Sequence, residues 1–141
     1  MRLTDTCDIA FRVLIFAAAK GEQWFRIEDV VNFYSVSRST TMKVVNTLTR
    51  SGMLEARRGR SGGLRLGMPT GEIALADVVR LIEPDFALVE CQRPDNACRI
   101  TPICALPAPL IAATQAFLDT LGQYTLEDIA IDGQRMFPAP G

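Results

Sequence analysis

The sequence predicts a mainly α fold: a winged helix–turn–helix with a two-stranded basic hairpin, then a cysteine loop and a long dimerisation helix. Three observations predict it. Apolar residues recur at helical spacing in three successive patterns before Gly52, and serines fit to cap a helix precede the third. Two short strand-like runs then flank Arg58-Gly59-Arg60-Ser61-Gly62-Gly63, a basic glycine-rich tip. After a cysteine- and proline-rich stretch with no period, a long apolar stripe returns between Leu110 and Leu121.

The elements follow in order. Asp5 to Lys20 carries Ile9, Val13, Phe16 and Ala17 on one face, widened by Ala10 and Leu14 and closed by Gly21. Arg26 to Phe33 is a short second helix with Ile27, Val30 and Val31 on one side. Ser35 or Ser37 caps a third, which runs to about Ser51 with Met42, Val45 and Leu48 inward and ends at Gly52. Met53 to Arg57 and Leu64 to Leu66 read as strands, and Leu75 to Ile82 as a fourth helix stopped by Pro84. Glu90 to Pro109 is aperiodic. In the fifth helix, Leu110, Thr114, Phe117 and Leu121 step by coiled-coil spacing, a stripe suited to a second copy of the chain. Thr125 caps a last helical piece with Asp128 at its third position, and the proline-rich tail from Met136 reads as loose. The organisation expected is a DNA-binding winged helix over 1–84, a cysteine loop over 85–109, and a dimerisation helix with tail over 110–141.

Composition narrows the function. The 141 residues are 48% apolar, enough for one cored domain. The longest apolar run, Val13 to Ala19, is far short of the roughly 20 residues that span a bilayer, so no membrane role is expected. The amphipathic start without a secretory signal reads as cytoplasmic. Histidine is absent, which excludes His-dependent triads and His-ligated zinc. No catalytic nucleophile stands out, so an enzyme is not expected. The net charge of −1 conceals a division: eleven Lys/Arg face six Asp/Glu up to Leu66, and four face ten beyond it. A basic half on a near-neutral chain points to a polyanion partner for that half, against the plainer alternative of a solvated charged face.

The layout favours double-stranded DNA. In a helix–turn–helix the first residues of the second helix reach base edges in the major groove. Here these are Arg38, Ser39, Thr40 and Lys43. Arginine can fork onto guanine, hydroxyls can bond to phosphate or base, and lysine neutralises phosphate. The glycine-rich tip is narrow enough to carry Arg58 and Arg60 into a minor groove.

Four cysteines remain. Cys7 lies in the first helix and reads as a packing residue; Cys91, Cys98 and Cys104 fall within fourteen residues, spaced by six and five. That is not the tight spacing of zinc knuckles. Three thiolates on a proline-stiffened loop suit an iron–sulfur cluster with a fourth ligand from elsewhere: Cys7, a carboxylate or an exogenous group. Zinc and unliganded redox-active thiols are the other readings.

Four blocks then carry a resemblance: Met1-Arg2-Leu3-Thr4 with Asp8 and Arg12; Arg58 to Gly67; Leu88 to Cys91 with Cys98-Arg99-Ile100-Thr101-Pro102-Ile103-Cys104; and Tyr124 to Ile129. Together they resemble the winged-helix regulator family that contains nitric-oxide-sensitive repressors and the bacterial iron–sulfur cluster regulator. The resemblance covers nearly the whole chain. It implies a homodimer on pseudo-palindromic operator DNA, with nitric oxide as effector and nitrosylation releasing the operator. It implies an iron–sulfur cluster, 4Fe-4S ahead of 2Fe-2S, held by Cys91, Cys98 and Cys104 and by Asp8 of the partner subunit. Arg12, one turn after Asp8, is placed to hydrogen-bond that carboxylate. The other well-known branch uses a histidine three residues after the third cysteine; here that position is Pro107. Two alternatives stand beside this reading: a regulator sensing redox or cluster status through the same cysteines, and an iron–sulfur redox or carrier protein.

Overall fold

The computed structural model describes all 141 residues. Helix α1, Asp5–Lys20, starts where the Thr4 side chain accepts from the Cys7 N–H, and ends at Gly21 in a positive-φ conformation. It is the central beam. Ile9, Ala10, Val13, Leu14, Phe16 and Ala17 are all buried, as the spacing requires. Helix α3, Arg38–Ser51, packs against it, and α2, Ile27–Tyr34, packs on α3 and meets α1 through Phe33 and Tyr34 on Phe16. Between them the two candidate serines divide the work: Ser35 takes the left-handed conformation that closes α2, and Ser37 caps α3 by accepting from the Thr40 N–H. Such a cap contributes about 1 kcal/mol.

The inward face of α3 is Thr41, Val44, Val45 and Leu48. Met42, expected inside, is exposed, where its sulfur accepts from the Arg38 guanidinium. The reason is register: Thr41 is one α-helical turn before Val44 and Val45, whereas Met42 is rotated about 100° off that stripe. Thr41 enters the core at little polar cost, because its hydroxyl donates to the Ser37 carbonyl at 2.7 Å.

Strands β1, Leu54–Arg57, and β2, Gly63–Leu66, form the antiparallel hairpin, with Leu54 opposite Leu66 and Arg57 opposite Gly63. Phe25 adds a bridge on the free edge of β2, exchanging both backbone hydrogen bonds with Leu64. Gly63 permits this approach: a Cβ there would stand 2.6 Å from the Phe25 carbonyl oxygen, and its φ of +149° disfavours side chains. Helix α4, Leu75–Ile82, closes the core with Val78 and Val79 buried.

Helix α5 spans Pro107–Leu121 and begins three residues earlier than its apolar stripe suggests. Proline at the first helical position has no N–H to leave unpaired, so Pro107 starts the helix rather than preventing it. Half of the stripe packs within the chain, while Leu110 and Thr114 join neither core cluster. Leu118 is buried against Cys7 and Val79, and Phe117 and Leu121 pack on the same cluster. Helix α6, Leu126–Ile129, carries the expected Thr125–Asp128 box, and Leu126 is fully buried in the main core. The tail is not loose at Met136. Helix α7, Gly133–Met136, brings Phe137 edge-to-face onto Phe16 at 5.1 Å and Phe33 at 5.3 Å.

Candidate nucleic-acid interface and thiol loop

Basic residues from the entry to α2, the start of α3 and the hairpin meet at one cleft of the head. Arg38, Ser39 and Lys43 are exposed on the first turns of α3, and Thr40 is half-buried. Arg58 and Arg60 are exposed at the hairpin tip, with Gly59 at φ +103° making the turn. A cleft between the two elements is lined by Arg26, Glu28, Arg38, Arg57 and Arg58. Five of the expected DNA-contacting residues are thus exposed, and the start of α3 and the hairpin tip border a common cleft.

Arg38 is held in place before any ligand arrives. Its Nη2 and Nε donate to Glu28 Oε1 at 2.8 and 3.1 Å. That hydrogen bond pulls the Glu28 carboxyl below its usual range, helped by the backbone N–H it also accepts. Both groups are more than half exposed, so the pair contributes little to stability. Its effect is to orient the guanidinium at the rim of the cleft.

The thiol loop is different in construction. No side chain between Ala87 and Ala116 joins either core cluster. The loop is organised by short turns at Glu90–Gln92 and Thr101–Ile103 and by its own polar contacts. Glu90 accepts from the Ala97 N–H at 3.0 Å, Asn96 accepts from the Cys98 N–H at 2.9 Å, and the Thr101 hydroxyl donates to the Cys98 carbonyl at 2.8 Å. Cys98 is exposed, Cys91 and Cys104 are half-buried, and all are free thiols. Within a single chain they are not gathered: no three His, Cys, Asp or Glu side chains are placed to hold one metal ion.

Asp8 is exposed in the first turn of α1, and its carboxylate pairs with Arg12 at 2.8 Å, the contact the spacing suggests. Arg12 also lies over the Tyr34 ring, and its carbonyl accepts from the Tyr34 hydroxyl at 3.0 Å. Cys7 points the other way. It is fully buried with Val79 and Leu118. Burial pushes its thiol up to about 12, with the Glu83 carboxylate adding to the effect. A thiol so protected is a packing group, in line with its place in the sequence.

Sequence reasoning gave Trp24 no role and counted Arg57 and Arg65 only in the basic excess of the first half. Both guanidinium carbons lie over the Trp24 ring, at 4.2 and 4.3 Å. The sequence signals only that Arg57 and Arg65 flank the basic tip; nothing in it brings Trp24 to them.

A model of the Rrf2 family, described as an iron-dependent transcriptional regulator, matches residues 3–132. The chain is 43% identical to the HTH-type transcriptional regulator NsrR of Bacillus licheniformis, over 94% of each protein. It is 41% identical to protein aau3 of Rhizobium meliloti, over 92% of this chain and 84% of that one. Among solved structures, the oxidized form of CymR from Staphylococcus aureus aligns with a TM-score of 0.72 at 24% identity, covering 92% of this chain and 96% of that chain. IscR of T. potens aligns with a TM-score of 0.74 at 15% identity, covering 100% and 94%. At those identities the two structures establish the winged-helix fold and no more.

Proposed function

The chain belongs to the Rrf2 family of transcriptional regulators, and from that premise we propose that it is a DNA-binding repressor that senses nitric oxide through an iron–sulfur cluster on its cysteine loop. It is a regulator and not an enzyme. One observation carries the sensing reading: three thiols within fourteen residues stand on a loop that sends no side chain into either core. Such a loop has a function other than folding the head.

The donor set fits a cluster. The three thiols are free and at least partly accessible, and thiolates are soft ligands suited to iron–sulfur centres. Cys91, Cys98 and Cys104 would hold it, with Asp8 of the partner subunit as the fourth ligand. When bound, the cluster, 4Fe-4S ahead of 2Fe-2S, supplies iron that reacts with nitric oxide.

The chain's own residues do the rest. Asp8 sits one turn from Arg12, which orients its carboxylate. Helix α1, which carries both, shares a core with Val44, Val45 and Leu48 of α3. With Asp8 as a ligand at the partner's loop, the first turn of α1 would be tied to that loop, and a shift of α1 would carry α3 through their shared core. Recognition helices of a dimer must stand about 34 Å apart to enter successive major grooves, so a small tilt lowers operator affinity. Arg38, Ser39, Thr40 and Lys43 read the major groove, and Arg58 and Arg60 take the minor groove. The homodimer forms on the face of α5 that the head leaves uncovered, where Ile111 is 59% exposed and Leu106, just before the helix, 50%. No helix is long and apolar enough to cross a membrane, and the regulator works in the cytoplasm.

The test is anaerobic reconstitution with iron and sulfide, followed by nitric oxide titration while binding to a duplex selected from a random pool is recorded. Visible absorbance and DNA affinity should fall together. A colourless chain, or affinity unmoved by nitric oxide, overturns the sensing reading and leaves the DNA-binding one in place. A second reading, redox sensing by the thiols themselves, is favoured by the exposure of Cys98 and the ungathered thiols. It requires that a thiol oxidant switch the cluster-free protein.

A further inference from the structure

We propose that Trp24 is a positioning residue for DNA binding: its ring holds Arg57 and Arg65 as a fixed pair of phosphate contacts on the flank of the hairpin. The inference rests on the DNA-binding reading above and adds a contact that neither the tip arginines nor α3 provides.

Strand alternation places the three side chains together. Phe25 is buried, and its backbone pairs with Leu64, so Trp24, one residue earlier, faces the opposite side. Leu64 is buried as well, which turns Arg65 outward beside Trp24. Arg65 lies opposite Glu55, and Arg57 lies two residues along β1 from Glu55, on the same face. The result is two guanidinium groups over one indole ring, at 4.2 and 4.3 Å. Trp24 is the chain's single tryptophan.

Two like charges on one ring repel each other, and only one has an acid partner: Arg65 Nε donates to Glu55 Oε2 at 3.0 Å. The other, Arg57, has only the Ser61 carbonyl as a hydrogen-bond acceptor. Contact through the face of a guanidinium leaves the in-plane N–H donors not used in those two bonds available, the arrangement that suits contact with a phosphate. The ring also removes side-chain freedom in advance, a gain of about twofold to tenfold in affinity for each side chain that needs no further ordering. The surroundings fit an extended polyanion. Arg58 and Arg60 continue the positive surface to the tip, and Arg26 Nη2 donates to the Arg60 carbonyl at 3.0 Å, tying α2's entry to the hairpin.

The probe is a mixed-sequence DNA duplex several helical turns long, because phosphate contact does not depend on base sequence. Trp24 emission should change as the duplex saturates the wild-type protein. Trp24→Ala should bind about tenfold more weakly, the combined effect of freeing two side chains, and Trp24→Phe should recover most of the loss. Arg57→Gln with Arg65→Gln should reduce the salt slope by roughly 1.8, at about 0.9 per phosphate. In that double variant, Trp24→Ala should have no further effect. Unchanged emission at saturation overturns the proposal, and this readout needs no variant to fold. A Trp24→Ala chain of native helix content that binds like wild type overturns it too, as does an equal loss in both backgrounds. Absence of any duplex binding by the wild-type protein instead brings down the DNA-binding reading itself.

Discussion

Of the 24 buried residues, 22 lie between Cys7 and Val79, and none lies between Arg80 and Phe117. The reading head is a cored structure in which caps, strand register and aromatic packing all specify one geometry. The thiol loop is held by polar contacts within itself and by the helices at its ends. The two regions meet different demands. Recognition needs α3 and the hairpin tip at a fixed spacing before DNA arrives. A sensor needs a segment whose arrangement is left for a ligand to decide. The contrast locates stability in one half of the chain, and the proposed function assigns response to the other.

The largest expected effect attacks the head. Phe16 packs edge-to-face with Phe25, Phe33 and Phe137 at 5.1 to 5.6 Å. Phe16→Ala should cost about 3–5 kcal/mol in urea unfolding, as deletion of a buried aromatic does. Cys98→Ser in the cluster-free protein should shift stability by no more than about 0.5 kcal/mol, the usual range for a surface change. A loss for Cys98→Ser comparable to that for Phe16→Ala would erase the contrast.

A pH titration sharpens it from the cysteine side. In the folded chain Cys7 is raised from 9.0 to about 12. Above pH 9 the unfolded chain gives up this proton first, so the unfolded state binds fewer protons and stability falls as pH rises. The contribution is intact below pH 9 and eroded between 9 and about 12. Urea midpoints should therefore decline more steeply over that window in wild type than in Cys7→Ala, which cancels the other alkaline titrations. Near neutral pH a thiol reagent should label Cys91, Cys98 and Cys104 and spare Cys7. Labelling of all four at equal rates contradicts the burial.

This division also explains what the sequence made legible. Helix α1 was readable to the residue because Ile9, Val13, Phe16 and Ala17 keep one period between Thr4 and Gly21. The Thr125–Asp128 box and the bounds of α4 were readable for the same local reasons. Met42 was misplaced because residue type favoured it over Thr41, whereas register and the Ser37 carbonyl decided the matter. In α5 the spacing of Leu110, Thr114, Phe117 and Leu121 was legible, but nothing local says that Phe117 and Leu121 pack beside Leu118 on Cys7 and Val79. Phe137 was invisible inside a proline-rich tail whose anchor lies in α1, on Phe16. In the site, single residues such as Arg38 and Arg60 were legible by charge and position. The Arg57–Trp24–Arg65 group was not, because it joins three segments through strand alternation.

A smaller effect tests how firmly the head holds its reading helix. Ser37 Oγ accepts from the Thr40 N–H and lies 3.1 Å from Ser39 Oγ. Ser37→Ala should lower stability by about 1 kcal/mol through the lost cap. Because the frayed turn carries Arg38, Ser39 and Thr40, specific DNA affinity should drop by more than non-specific affinity. Equal losses on both DNAs would mean that the first turn of α3 does not read bases.

The smallest expected stability effect falls on the residue proposed to join the two regions. Asp8 pairs with Arg12 across one helical turn, with side chains 57% and 41% exposed. Such a pair contributes only about 0.3–0.5 kcal/mol, so Asp8→Ala should leave the unfolding of the cluster-free protein almost unchanged. If Asp8 of the partner subunit completes the site, the same substitution should alter the stability or the nitric oxide response of the reconstituted protein. Cys7→Ser should show the reverse. Its hydroxyl would sit in the pocket between Val79 and Leu118, so it should weaken the fold while leaving the cluster's spectrum nearly unchanged. The crossed outcome separates the rivals without knowledge of the operator. Loss of the cluster in Cys7→Ser with retention in Asp8→Ala would place the fourth ligand inside the core. The link from loop to reading helix would then run through Cys7, and the contrast between a cored head and a ligand-ordered loop would not survive.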